Sequence, residues 1–288
     1  MTENQPCALC RQLFPPAQLL TVDHRAVCAG CKPLLLRRLL SGAPEPLLPV
    51  GLELRELGFG EMLGQAAHVL RGEGLRMLPL VAGVSLLSSG ILALLPKPDE
   101  ETFPGIMMEI GRMGAVDLFV GVFSTLGVVW LVRERVEGRR GALGSAMIHA
   151  TRRWLAGVGT GWLESVILTF FLLLLVVPAI IFMVFYTFST IIVALSGRSG
   201  VEALRYSKQL VAGRWWRVFG YSLAVFLPML LIAFAGGIVQ TVFPQFTTPE
   251  WVDNLVFAFL ELPALVCITV LYLHLDAQHR AREAAGGG

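Results

Sequence analysis

Charge is scarce in this chain. Of its 288 residues only 15% are Asp, Glu, Lys or Arg, against roughly 25% in a soluble globular protein. Hydrophobic residues make up 55%, in long uncharged runs that a water-soluble core does not need and a bilayer does. Familiar catalytic signatures are also missing. There is no Gly-x-Ser-x-Gly, His-Glu-x-x-His or phosphate-loop lysine motif, and no paired catalytic groups stand out, so the chain reads as no enzyme. Residues 1–31 carry no apolar run of the signal-peptide kind, so a cytosolic N-terminal module made before the first span is expected. The net charge of +2 by itself points to no partner, and nucleic acid is not expected as one.

Cysteine is rare too, and four of the five residues fall in one short stretch, Cys7-x2-Cys10 and Cys28-x2-Cys31. Two such pairs can hold one tetrahedral zinc ion through four thiolates, which closes the coordination shell and makes the site structural. Gln12-Leu13-Phe14 and Leu19 to Val22 read as short strands around a Pro15-Pro16 turn. Asp23-His24 reads as a second turn, with His24 a turn residue before a ligand. Cys31 opens a stretch with Pro33 in the first turn of a helix. Together these resemble a treble-clef or zinc-ribbon module. Disulfides are disfavoured in a cytosolic setting, a redox pair lacks its βαβ surroundings, and unligated cysteines are the remaining alternative. The module, 1–40, is followed by a Pro- and Gly-bearing linker, 41–53.

The rest reads as an all-α polytopic membrane protein of about six transmembrane helices, a membrane domain over 54–275 with a flexible tail, 276–288. An amphipathic surface helix is expected over 54–72. Spans are expected at 78–95, 115–132, two within 161–195 with a turn at Pro178, 219–239 and 254–275. Whether 161–195 crosses twice or re-enters is left open by length alone. Basic residues cluster before the first span, in 133–157, in 197–217 and at Arg280 and Arg282, while 240–253 has none. That alternation puts both termini in the cytosol, as in a bacterial cytoplasmic membrane. Ser199-x-x-Glu202 matches a capping box opening a helix over Val201 to Val211. Arg152, Arg153, Arg205, Lys208, Arg214 and Arg217, beside tryptophans, are candidate lipid head-group contacts or plain interfacial anchors.

The block "VVPAIIFMVFYTFSTIIVALSGRSGVEALRYSKQLVAGRWWRVFG", residues 176–220, resembles the glycerophosphoryl diester phosphodiesterase membrane-domain family. Gly200, Glu202, Ala203, Leu204, Ser207, Leu210, Gly213 and Trp216 carry the match. The family usually has Pro-Gly where this chain has Pro178-Ala179. The resemblance implies a six-helix membrane domain and no phosphodiesterase activity, since no such catalytic domain is present.

Intramembrane acids are functional candidates by default. Asp117, Glu164 and Glu261 qualify, and Glu261, deepest and beside Pro263, is the candidate functional acid. His274 reads as interfacial and Cys267 as an apolar filler. The sequence favours a scaffold or adaptor whose zinc module docks a cytosolic partner. It places second a small transporter or channel using Glu261 and proline-broken helices, and last a lipid enzyme. The zinc reading is checked by metal analysis of the purified chain, with about one zinc per chain expected and lost on Cys28→Ser.

Overall fold

A computed structural model describes residues 5–6, 13–15, 18–22, 25–28, 58–98, 102–139, 141–243 and 248–286. Near the N-terminus β1 (Gln5–Pro6) pairs antiparallel with β2 (Leu13–Phe14), and β3 (Leu19–Val22) with β4 (Arg25–Cys28). The β3–β4 register sets Leu19 opposite Cys28 and Val22 opposite Arg25, so the strands beside the Pro15-Pro16 turn pair with other strands and not with each other. Cys28 ends β4 with a buried side chain. Cys7, Cys10 and Cys31 lie outside the described residues, as does the linker 41–53.

The remainder is helical: α1 (Phe59–Leu94), α2 (Phe103–Val116), a π-helical turn (Asp117–Gly121), α3 (Val122–Val136), α4 (Leu143–Leu174), α5 (Val176–Tyr186), α6 (Ser189–Ser196), α7 (Val201–Val211), α8 (Trp215–Val242) and α9 (Glu250–Gly286). Among the described residues six stretches are long and apolar enough to cross a membrane: Phe59–Leu94, Phe103–Val136, Leu143–Leu174, Val176–Ser196, Trp215–Val239 and Trp251–Arg280.

Most boundaries differ from the hydropathy reading, in part because polar residues inside helices are neutralised locally. Residues 54–57 lie outside the described residues, and from Phe59 on the surface helix expected over 54–72 is instead the start of α1. Its apolar stripe of Met62, Ala66, Val69, Met77 and Leu80 packs on α9 and α3, so protein and not lipid covers it. Glu73 interrupts that stripe at 4% exposure and is held by Arg76 at 2.8 Å. At 1.5 Å per residue α1 is about 54 Å long, well beyond the ~30 Å hydrocarbon core.

The segment 103–114, expected to be a loop, is α2. Thr102 caps it by accepting the Gly105 amide at 3.2 Å, and Phe103-Pro104 occupies its first turn. Arg112 grips Glu109 with two nitrogens, at 2.7 and 2.6 Å, and donates a third bond to the Leu92 carbonyl at 2.7 Å. One side chain thus neutralises an acid and ties off the last turn of α1.

The turn between the third and fourth spans falls at Leu175, which is extended between α4 and α5. Pro178 sits in the first turn of α5, where a missing N–H costs nothing. The capping box at Ser199 does not form. Gly200, at φ +58°, takes the N-cap position of α7 and donates its amide to Thr160 Oγ at 2.7 Å. The tail expected to be flexible from 276 is helical to Gly286, and Asp276 and Gln278 are buried.

The fourth span is broken between α5 and α6. Ser207 of α7 repairs the break, donating to the Phe185 carbonyl at 2.7 Å and accepting the Phe188 amide at 3.3 Å. The hydroxyl is completely buried. Beyond the break Ile191, Ile192, Val193 and Ala194 are buried in succession, which makes α6 an all-round core helix. Small residues let the helices close up: a Cβ on Gly127 would lie 2.6 Å from Leu80, and one on Gly157 2.7 Å from Val122. Ser207→Ala leaves two buried backbone groups unpaired and is expected to lower stability by about 1–3 kcal/mol. Thermal unfolding of the detergent-solubilised protein checks this; an unchanged midpoint contradicts the repair.

Candidate functional site

A cavity of about 480 Å³ lies among α1, the π-helical turn, α3, the α5–α6 break, α8 and α9. Its polar wall consists of Ser85 and Ser88 from α1, Asp117, Ser124 and Thr125, Thr187 and Thr190 beside the break, and Asn254 and Glu261 from α9. Val84, Phe226, Phe257 and Leu265 are among the apolar residues completing it. Among the described residues no Lys or Arg lines it. Glu261 is ten residues along α9 from Trp251, or about 15 Å at helical rise, roughly half the ~30 Å hydrocarbon thickness.

Local backbone chemistry places the two acids. Asp117 opens the π-helical turn, a register shift that frees carbonyls from the α-helical ladder. Trp154 Nε1 of α4 donates to the Phe119 carbonyl at 2.6 Å, and Ser124 and Thr125 hydroxyls donate to the Gly121 carbonyl at 2.9 and 3.3 Å. Gly121 supplies the space for the Asp117 carboxyl, because a Cβ there would lie 2.1 Å from Asp117 Oδ1. On α9, Pro263 withholds the N–H that would bond the Phe259 carbonyl. Asn254 donates to Ser89 Oγ at 3.1 Å, and Ser89 to the Ser85 carbonyl at 3.0 Å, which pins α9 to α1 at one rim.

Asp117 and Glu261 both line this one cavity. The structure therefore brings together two of the three intramembrane acids expected from sequence. Glu164 belongs elsewhere: it accepts a short hydrogen bond from the Ser189 hydroxyl and ties α4 to α6. His274, expected at the interface, is instead buried at 3% exposure and lies 2.9 Å from Gln278. Cys267 fills the core, as expected. The serines, threonines and Asn254 were not singled out from sequence. Ser85, Ser88 and Ser89 on one apolar span were the available signal, since hydroxyls inside a bilayer seek partners or line polar space.

The expected head-group residues are spread over separate elements. Arg152, Arg205 and Lys208 are exposed, the last two on the outer face of the amphipathic α7. The Arg153 guanidinium covers Gly197 at the end of α6. Arg214 and Arg217 flank Trp215, whose indole N–H donates to the Ile181 carbonyl at 3.3 Å. The inner face of α7 is latched by Tyr206, which donates to Asp276 Oδ1 at 2.5 Å under the Arg198 guanidinium, 3.9 Å from the ring centroid. Burial, with Asp276 adding to it, pushes the Tyr206 phenol up to about 12, so it stays a donor throughout the physiological pH range.

Among the described residues no group of three His, Cys, Asp or Glu is placed to hold a metal, and three of the four expected zinc ligands lie outside them. Residues 142–276 match the sequence model of a domain of unknown function, DUF7847. No curated protein and no solved structure matches the chain. The match takes in α4 to α9 with Glu261, and leaves out Ser85, Ser88 and Asp117.

Gly121→Ala is expected to cost about 1–3 kcal/mol by driving a methyl group into the Asp117 carboxyl. Combined with Asp117→Ala, most of that cost should disappear. Additive losses in the thermal unfolding of the double variant would show that the carboxyl does not occupy the space.

Proposed function

We propose that the chain is a small membrane transporter or channel that takes a cation, a proton or a monovalent metal ion, into the cavity shared by Asp117 and Glu261. The observation that carries this reading is the convergence of two carboxyl groups from different spans on one hydroxyl-lined space without a basic residue. Removing a carboxylate from water is costly unless something compensates it. Here the compensation available is a cation held between the carboxylates and the hydroxyl oxygens of the cavity wall. Helices interrupted at mid-span beside a polar site are a recurrent feature of secondary transporters. This places the transport reading ahead of the scaffold reading that the sequence favoured.

The two readings are compatible, because they use different parts of the chain. The β3–β4 hairpin supports the second: it delivers Cys28 to the end of a strand with its side chain buried, three residues before Cys31. In this reading Cys7, Cys10, Cys28 and Cys31 hold one structural zinc, and the module over 1–40 docks a cytosolic protein, with both termini in the cytosol. The resemblance to the phosphodiesterase membrane-domain family adds a scaffold and no activity. Crosslinked cytosolic protein that persists after removal of residues 1–42 would count against the docking role.

For the transport reading, the purified chain is reconstituted in liposomes carrying a pH-sensitive dye and challenged with proton, sodium and potassium gradients. Glu261→Gln and Asp117→Asn are each expected to lower flux at least about tenfold, the loss of roughly 1.4 kcal/mol of site stabilisation. Leu230→Ala, on the exposed face of α8, should leave it unchanged. No flux in the unaltered chain under any of the three gradients, or flux indifferent to both acid substitutions, refutes the proposal.

A further inference from the structure

A second cavity of about 440 Å³ lies on the outside of the bundle, between α1, the π-helical turn with α3, and α4. Pro79, Gly83, Leu87, Phe123, Met147 and Trp154 are among its walls, and all of its walls are apolar. The one polar atom of Trp154 is already committed to the Phe119 carbonyl. Leu87 and Met147 remain about half exposed, and a Cβ on Gly83 would meet nothing within 4 Å, so this is an open groove and not a packed seam.

One end of the groove carries Arg76, ion-paired to Glu73 through one of its nitrogens. Arg76 precedes Pro79, Gly83 and Leu87 at helical spacing on α1 and shares their face. Its Nη1 holds Glu73 at 2.8 Å and the Gly141 carbonyl at 3.3 Å. Its Nε and Nη2 make no hydrogen bond with another described residue, and the side chain is 47% exposed. Gly141 also brings Arg76 to the start of α4, whose N-cap Ala142 offers no capping side chain. First-turn amides without a side-chain cap attract anions, and Leu143, the first residue of α4, is itself a groove wall. From Pro79 to Leu87 the groove follows about 12 Å of helix, most of one ~15 Å leaflet.

We infer that this groove holds one acyl chain of an anionic phospholipid whose phosphate sits on Arg76 and the first amides of α4. An uncharged apolar partner would leave the Arg76 nitrogens and these amides unused, and a free anion would leave the groove empty. The inference does not depend on the transport reading.

Native mass spectrometry of the full chain, delipidated in detergent and then titrated with dioleoylphosphatidylglycerol or dioleoylphosphatidylcholine, tests it. Phosphatidylglycerol should be retained in preference, one per chain. Gly83→Leu, which fills the groove, should abolish the preference. Glu73→Gln with Arg76→Gln, which removes the cation without stranding a buried carboxylate, should lower retention roughly fivefold. If Gly83→Leu is not monodisperse, Met147→Trp fills the same groove from the α4 side. Equal retention of the two lipids by the unaltered chain, or a preference that survives filling the groove, overturns the inference. So does a dimer mass that Gly83→Leu removes, since the groove would then be an interface between copies, and so does competition by glycerol 3-phosphate as effective as by the whole lipid.

Discussion

Inside a bilayer no water stands ready to bond a backbone group that its helix has abandoned. The chain breaks its helical ladder at the π-helical turn and again between α5 and α6, and in each case one side chain from another element closes the gap. Trp154 takes the Phe119 carbonyl, and Ser207 takes the Phe185 carbonyl and the Phe188 amide. These repairs fix α4 against the second span and α7 against the fourth. They also decide where the interruptions face, and so put Asp117 on one wall of the polar cavity and Thr187 and Thr190 on another.

The acids within and beside the spans fall into two groups, those with a protein partner and those without. Glu73 and Glu109 each have an arginine three residues on, Glu164 has Ser189, and Asp276 has Tyr206 and Arg280. Each of these is satisfied by a protein neighbour, and a structural role accounts for it. Asp117 and Glu261 make no hydrogen bond or ion pair with another described residue, and their carboxyls line open polar space. Partnership, more than depth, separates an acid that holds the fold from one available to a ligand.

Much of the architecture was legible in hydropathy. Twenty apolar residues cross a bilayer, and six such runs exist. Element ends were less legible, because a pair such as Glu109–Arg112 cancels its own charge inside a helix, and a residue-by-residue scale counts both members against it. Pro178 misled in the same way: a proline marks a break only when its missing N–H is needed, and in the first turn of α5 it is not. Glu261 was visible as a lone acid in a span. Its proximity to Asp117 was not, since it follows from how α9 packs beside the second span and no spacing encodes that. The zinc reading of the four cysteines rests on their spacing alone, since Cys7, Cys10 and Cys31 lie outside the described residues.

Ser207 stands 19 and 22 positions after the backbone groups it bonds. During synthesis, therefore, the fourth span is complete in sequence while its broken middle still has nothing to bond. The span reaches its final form only when the amphipathic segment behind it has emerged, coiled and swung back to dock. Membrane integration of this protein is to that extent retroactive: a helix that never crosses the bilayer finishes one that does.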